Sequence, residues 1–254
     1  MGVAIDPVCD MEVDQDHAAA TSVYRDQTYY FCAPGCKAAF DLEPEQYLRR
    51  EAGIAGDVSA PTAPTISMPV DVAIKTRRSV ARLKPDPVPG EAIELMLEAA
   101  VWAPNHHLTE PWEFFVLSGD SLRRFAEIRR DFRRTLFKHP EAPEVQRALD
   151  KIYADTITTP VIIVVTTTNP DDQDLRDDDY GATMIAIQNM LLVATGLGLG
   201  VYLRTGRLIR FPPLREWLAV TEGRRIAGVI YVGYPAHIPE RRRTPHREKT
   251  HWMA

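Results

Sequence analysis

The spacing of apolar residues changes several times along this chain, and each change marks an element. Ile93, Met96, Leu97, Ala100 and Val101 recur at three- and four-residue intervals, which predicts a helix over Glu91 to Trp102 with one apolar face. Pro104 stops it, because the residue before a proline is pushed out of helical geometry. Leu122, Phe125, Phe132 and Leu136 repeat the pattern among many arginines, predicting a second amphipathic helix over Ser121 to Phe137. Phe114 to Leu117 reads as a strand between them. Val161 to Val165, introduced by Pro160, is a β-branched run of the kind buried on both faces, so it predicts a central strand. Ala182 to Val201 predicts a buried core helix, with Asp177 to Asp179 before its start, where the dipole favours negative charge, and Gly196, Gly198 and Gly200 at its end. Ile226 to Val232 supplies another strand, closed by Gly233-Tyr234-Pro235, and Asp71 is read as the cap of a helix running through Ile74 toward Arg77. Helices dominate around a few strands, which is an α+β arrangement.

The first 50 residues read differently. Asp6 to Val13 begins as a turn and enters a short strand, and Ala20 to Val23 with Gln27 to Phe31 form a hairpin pair around Tyr24-Arg25-Asp26. Cys32-Ala33-Pro34-Gly35-Cys36 then turns into a helix containing Ala39 and Phe40, and a last short helix holds Pro44 and Tyr47. Residues 51–69 are rich in Ala, Pro, Thr and Gly with no sustained apolar period, and read as a linker. The chain therefore divides into a module over residues 1–50, a linker over 51–69 and a domain over 70–254. A module of that size buries a marginal core, so a bound metal or docking onto the larger domain would help it.

Composition narrows the partners. Hydrophobic residues make up 45% and charged ones 26% of the 254 positions, as in ordinary globular proteins. A net charge of -5 gives no reason to expect nucleic acid, although Arg241, Arg242, Arg243, Arg247 and Lys249 leave room for a local anion site. Gln188, Asn189 and Thr195 interrupt the most apolar stretch, so no membrane span is expected. The N-terminus lacks a basic start followed by an apolar run, and the cytoplasm is the expected location. The chain has 3 cysteines, all in the small module, which argues against a disulfide framework.

Two stretches carry candidate chemistry. Arg77-Arg78-Ser79 packs two fixed cations and a hydroxyl into three residues, which suits a phosphate monoester. Ala103-Pro104-Asn105-His106-His107-Leu108-Thr109-Glu110 runs from a helix end through a polar loop into the apolar Pro111-Trp112-Glu113-Phe114-Phe115. Such a loop holds polar atoms against a flat ring, and flavin mononucleotide (FMN) is the natural phosphorylated aromatic candidate. The neighbouring signals have plainer readings. His106 and His107 are surface or flavin-edge histidines rather than metal ligands, Gly196-Leu197-Gly198 is a helix end rather than a dinucleotide fingerprint, and Trp112 is core.

Arg77-Arg78-Ser79-Val80, Ala103-Pro104-Asn105 through Pro111-Trp112-Glu113-Phe114, Gly196-Leu197-Gly198 and Gly233-Tyr234-Pro235 occur in the order seen in nitroreductase-like FMN proteins. The resemblance spans about residues 70–250 and is closest to the compact subgroup carrying an Arg-Thr-Gly turn, here Arg204-Thr205-Gly206. It implies an intertwined homodimer with a mostly antiparallel sheet and FMN held between subunits. It implies phosphate and ribityl contacts from Arg77, Arg78 and Ser79, contacts to the other subunit's flavin from Asn105 and His106, and Leu203, Arg204 and Thr205 lying along the ring. Arg241 and Arg243 are the candidates for the basic pair that completes the phosphate site, and Arg204 for stabilising negative charge on the reduced flavin. Leu203 stands where an aromatic residue is often found.

In the small module, Asp6-Pro7-Val8-Cys9-Asp10-Met11, Tyr29-Tyr30-Phe31-Cys32-Ala33-Pro34-Gly35-Cys36, Phe40, Pro44 and Tyr47 resemble the YHS domain, which implies metal binding. Cys32 and Cys36 flank a helix start, where the dipole lowers a thiol pKa, and Cys9 supplies a third sulfur. Three sulfurs suit Cu(I) or Zn(II), with His17 or Met11 as candidates for a fourth ligand. Buried reduced thiols and a Cys32–Cys36 disulfide are the alternatives. The expected activity is ping-pong electron transfer from NAD(P)H through FMN to a small electron-poor acceptor, nitroaromatic- or quinone-like. The alternatives are dehalogenation, with a lid over Arg133 to Asp150, flavin cleavage, or a metal or redox sensor with structural flavin.

Overall fold

The structure, a computed structural model, describes residues 2–9, 11–42, 44–48 and 66–253. Most of the predicted linker, residues 51–65, lies outside the described residues. The described chain falls into two compact units: the small module together with Pro104–Glu110, and Thr62–Ala103 together with the chain from Pro111 onward.

A four-stranded sheet organises the larger unit. Its strands are β5 (Trp112–Leu117), β6 (Val161–Thr168), β7 (Gly200–Arg204) and β8 (Arg224–Gly233), in the spatial order β5-β6-β8-β7. Every neighbouring pair is antiparallel. Strand β6 is central, as its unbroken apolar run predicts. Val161, Ile163 and Val165 pack on the helices α4 (Gly90–Val101) and α7 (Gln173–Gly196), whereas Ile162 and Val164 pack on α5 (Asp120–Arg134) and α8 (Pro212–Trp217). Alternation along the strand thus buries both faces, which is why no polar position interrupts the run from Val161 to Val165.

Several predicted helices are shifted. Asp71 lies in the first turn of α3 (Val70–Thr76) and pairs with Lys75 at 3.0 Å, while Pro69 holds the cap position. Asp177, Asp178 and Asp179 lie inside α7, not before it; the cap is Asp172, whose carboxylate accepts the Leu175 N–H at 2.9 Å. Asp179 is buried there and accepts the Thr168 hydroxyl, which ties α7 to β6. Asp172→Ala is expected to cost about 1 kcal/mol of stability, read as a lowered urea midpoint. Leu136 lies beyond the end of α5 and is exposed, and Val101 is exposed at the end of α4. Helix α6 (Pro143–Ile157), strand β7 and helix α8 have no counterpart in the apolar pattern. Leu149 is the single buried aliphatic residue of α6, too little for a period to show.

Residues 79–84 run beside the edge strand β7. Val80 N–H donates to Val201 C=O at 2.9 Å, Ser79 bridges Val201 in parallel, and Lys84 N–H donates to Tyr234 C=O at 2.8 Å. Gly200 permits this approach, since a Cβ there would meet Leu83 at 2.9 Å and Val80 at 3.0 Å.

In the small module, β1 (Val3–Ile5) pairs with β2 (Glu12–Asp14), and β3 (Ala20–Tyr24) with β4 (Gln27–Phe31). The hairpin forms as expected, but Tyr24 belongs to β3 and pairs with Gln27, so the turn is the two residues Arg25 and Asp26, at φ 50 and 61. Helices α1 (Pro34–Leu42) and α2 (Pro44–Leu48) follow. Phe40 centres the core, with Tyr24, Tyr29, Phe31 and Tyr47 ringed around it at centroid distances of 4.8–6.4 Å.

Candidate functional site

Arg77 and Arg78 leave the end of α3 and go separate ways. Arg78 donates from Nη1 to the Lys75 and Arg77 carbonyls at 2.6 and 2.9 Å, so its guanidinium satisfies helix-end acceptors. Arg77 is half-buried, and its pKa is lowered by burial first, then by Arg243 and by Arg78. Residues 166 positions apart in sequence (243 − 77) thus converge as like charges, and neither forms an ion pair among the described residues. Arg241 lines a separate shallow cavity with Arg78 and Arg242. Ser79 is exposed beside β7.

Further along the same segment, Ala81, Arg82 and Leu83 line a cavity of about 490 Å³ whose other walls include Arg129, Lys151, Arg204 and Tyr231. Four cations face it against one carboxylate, Asp155, and that carboxylate is paired with Lys151 at 3.2 Å. Arg204 lies 4.7 Å over the Tyr202 ring and 5.3 Å over Tyr231, and Arg129 lies 5.6 Å over Tyr231. Arg129 donates to Thr156 Oγ1 at 2.5 Å, which fixes it between α5 and α6. Burial lowers the Arg129 pKa, and Arg204 and Arg133 lower it further. Tyr231 is 6% exposed, and its hydroxyl has no hydrogen-bond partner among the described residues. A second cavity of about 420 Å³ shares Arg129, Tyr202 and Arg204 and runs past Thr205 to Leu136. Adjacent residues of β7 point to opposite faces: Leu203 packs on the α4–α7 side, Arg204 on the other.

Burial raises the Tyr231 pKa above its ordinary 10.0. The folded state therefore keeps this proton after the unfolded chain has lost it. The resulting stability is complete below pH 10 and drains away as pH climbs toward the raised folded value. Tyr231→Phe is expected to be at least as stable as the parent at pH 7, because it removes an unpaired buried hydroxyl. It is also expected to lose less stability than the parent between pH 9 and 11 in urea titrations.

Asn105 and His106 belong to the smaller unit. The Asn105 carboxamide accepts the Glu110 N–H at 2.9 Å, and His107, Leu108 and Glu110 all have positive φ, which gives a sharply folded loop. Leu108 packs on the core formed by Val8, Phe31, Cys36 and Phe40.

The three cysteines converge, with Cys9 and Cys32 sulfurs 3.4 Å apart and Cys32 and Cys36 sulfurs 3.8 Å apart. The expectation of acidified thiols is corrected. The Cys32 pKa is raised to about 11, by burial first and then by the Cys9 and Asp6 side chains. Cys36 is raised well beyond the usual thiol range by burial, Asp6 and the other sulfurs, which together outweigh its place in the first turn of α1. His17 does not join the cluster, because its ring pairs with Asp14 at 3.0 Å in solvent. Met11 is exposed. The residue that the sequence reading missed is Asp6, whose carboxylate groups with the three sulfurs. Its place in Asp6-Pro7-Val8-Cys9, three residues before a thiol, was the available signal.

Residues 74–234 match the model of the nitroreductase family, and residues 4–51 match that of the YHS domain. The chain belongs to the nitroreductase family. A nitroreductase-like family protein from Bacillus cereus superposes with a TM-score of 0.65 at 31% identity, covering 75% of this chain and 99% of that one. The "putative nitroreductase in complex with fmn" from Desulfovibrio desulfuricans superposes with a TM-score of 0.58 at 28% identity, covering 74% and 98%. "Putative NAD(P)H nitroreductase YfhC" of Bacillus subtilis is 32% identical over 178 residues, covering 69% of this chain and 90% of that protein. This nitroreductase-family chain is an oxidoreductase with an N-terminal YHS domain. Among its described residues, no helix is long and apolar enough to cross a membrane.

Proposed function

We propose that the chain binds FMN along residues 77–82 and β7, takes electrons from NAD(P)H and passes them, in ping-pong order, to a small electron-poor acceptor of nitroaromatic or quinone type. The observation that carries this reading is the cation-rich cavity lined by Arg82, Arg129, Lys151 and Arg204, with a buried Tyr231 hydroxyl left unpartnered. Its donor set fits the group. Arg77, Arg243 and Ser79 take the phosphate end, in keeping with two guanidiniums held together without a counter-ion. Arg82, Arg129, Lys151 and Arg204 face the space where an electron-rich ring would gather negative charge, and fixed cations in a partly dry site oppose such charge most effectively. Bound flavin would supply the hydride transfer chemistry that no side chain here provides. The second cavity, walled by Phe132, Arg133 and Leu136, takes the acceptor.

Asn105 and His106 serve the flavin of a second copy in this reading, and the working form is a homodimer. Exposed Val70, Ile74, Val101 and Ile185 on α3, α4 and α7, with Trp102 just past the end of α4, support it, because apolar side chains of this size are covered in stable assemblies. In the YHS domain, Cys9, Cys32 and Cys36 hold a Zn(II) or Cu(I) ion.

Anaerobic titration of FMN-reconstituted protein with NADH and NADPH tests the reading. A yellow protein that is bleached stoichiometrically and recoloured by a quinone supports it. A protein that stays colourless after incubation with FMN ends it.

A further inference from the structure

We infer that Asp6 is the fourth ligand of the YHS-domain metal site, and that it biases the site toward a divalent ion of the zinc class over Cu(I). The inference rests on the reading that the three thiols bind metal. Asp6 is 0% exposed and forms no ion pair among the described residues. A carboxylate so placed is costly unless a cation compensates it. The other groups converging on it, Cys9, Cys32 and Cys36, carry no positive charge.

Its orientation is already set. Oδ1 accepts the Val8 N–H and Oδ2 accepts the Cys32 N–H, each at 2.9 Å. Those donors lie on the two segments that carry Cys9 and Cys32, so the carboxylate holds both loops in register. Each oxygen keeps further lone-pair capacity for a metal. The four ligand atoms all lie within 4.8 Å of one another. Zn–S bonds of about 2.3 Å around a tetrahedron give S···S edges of ~3.8 Å, and the observed sulfur separations are 3.4 and 3.8 Å. Metal would therefore enter with little rearrangement. Three thiolates alone satisfy Cu(I), whereas a hard oxygen donor in a four-coordinate site favours Zn(II).

The test uses the full-length chain, titrated with Zn(II), Co(II) and Cu(I), beside Asp6→Asn. The parent is expected to bind one Co(II) with the intense visible bands of a tetrahedral sulfur-rich site. Asp6→Asn is expected to lose Zn(II) affinity by more than the roughly 10- to 100-fold typical of a residue that only orients ligands, to shift the Co(II) bands, and to keep Cu(I) affinity within about 3-fold. Because Asn at this position could disturb the loops, the parent also carries a direct measurement. With ¹¹³Cd bound, the Asp6 carboxylate carbon should show scalar coupling to the metal. Unchanged Zn(II) affinity with an unchanged Co(II) spectrum in the variant, or no coupling in the parent, reduces Asp6 to a clamp and overturns the inference. Cu(I) binding without Zn(II) or Co(II) binding overturns it while leaving the thiol site standing. Loss of all three metals removes both.

Discussion

Arg77→Ala is expected to leave the protein folded and to weaken FMN binding about 10- to 150-fold, the equivalent of one charge-assisted hydrogen bond at about 1.5–3 kcal/mol. The sign for the unliganded protein runs the other way. Arg77 sits against Arg243 and Arg78 without a counter-ion, so its removal relieves like-charge repulsion. The melting temperature without FMN should be unchanged or higher, while the increment that FMN adds should shrink. Arg78→Ala provides the contrast, since the Arg78 guanidinium already serves the Lys75 and Arg77 carbonyls. Its effect on FMN affinity should be the smaller of the two, with some loss of α3 stability. Flavin fluorescence quenching measures both affinities. An Arg77→Ala protein that binds FMN within about 3-fold of the parent would remove the phosphate assignment.

The largest loss of stability is expected from Phe125→Ala, at about 3–5 kcal/mol. Phe125 is fully buried on α5, meets the Tyr231 ring edge-on at 6.3 Å and packs in the core shared with Ile162, Val164 and Val229. Truncation leaves a cavity that the neighbouring strands cannot readily close, because β6 and β8 are held by pairing from Val161–Val232 to Thr168–Arg224, broken only by one register shift at Val165/Thr166. The urea midpoint should fall with an unchanged slope, the mark of a stability change within a two-state transition. A loss below about 1 kcal/mol would mean that α5 is not anchored through this residue. Arg129 lies four residues further along the same helix, so poorer flavin retention is expected to accompany the loss.

Much of this was open to inspection before any coordinates. The run Val161 to Val165 announced a strand buried on both faces, because a position exposed on either side would have carried a polar residue. The order of Arg77-Arg78-Ser79, the Asn105 loop, Gly196-Leu197-Gly198 and Gly233-Tyr234-Pro235 was enough to point to the nitroreductase family, and the residues around the three thiols, with Phe40, Pro44 and Tyr47, to the YHS domain. Periodicity misled where tertiary contacts replaced it. Helix α6 buries too few aliphatic residues to show a period, and Asp179 was read as part of a helix-start charge cluster, whereas it lies inside α7, buried against Thr168.

The candidate site divides along the same line. Which residue types could meet a phosphate or a soft metal was written in local motifs, because a guanidinium or a thiol carries its chemistry wherever it stands. Which of them meet was decided only by folding. Arg77 approaches Arg243, Arg129 and Lys151 come over from α5 and α6 to face Arg204, and Asp6, carried on the same segment as Cys9, meets the sulfurs of Cys32 and Cys36. These are encounters between distant parts of the chain. No periodicity encodes them, since they follow from how strands pair and how helices lie across the sheet.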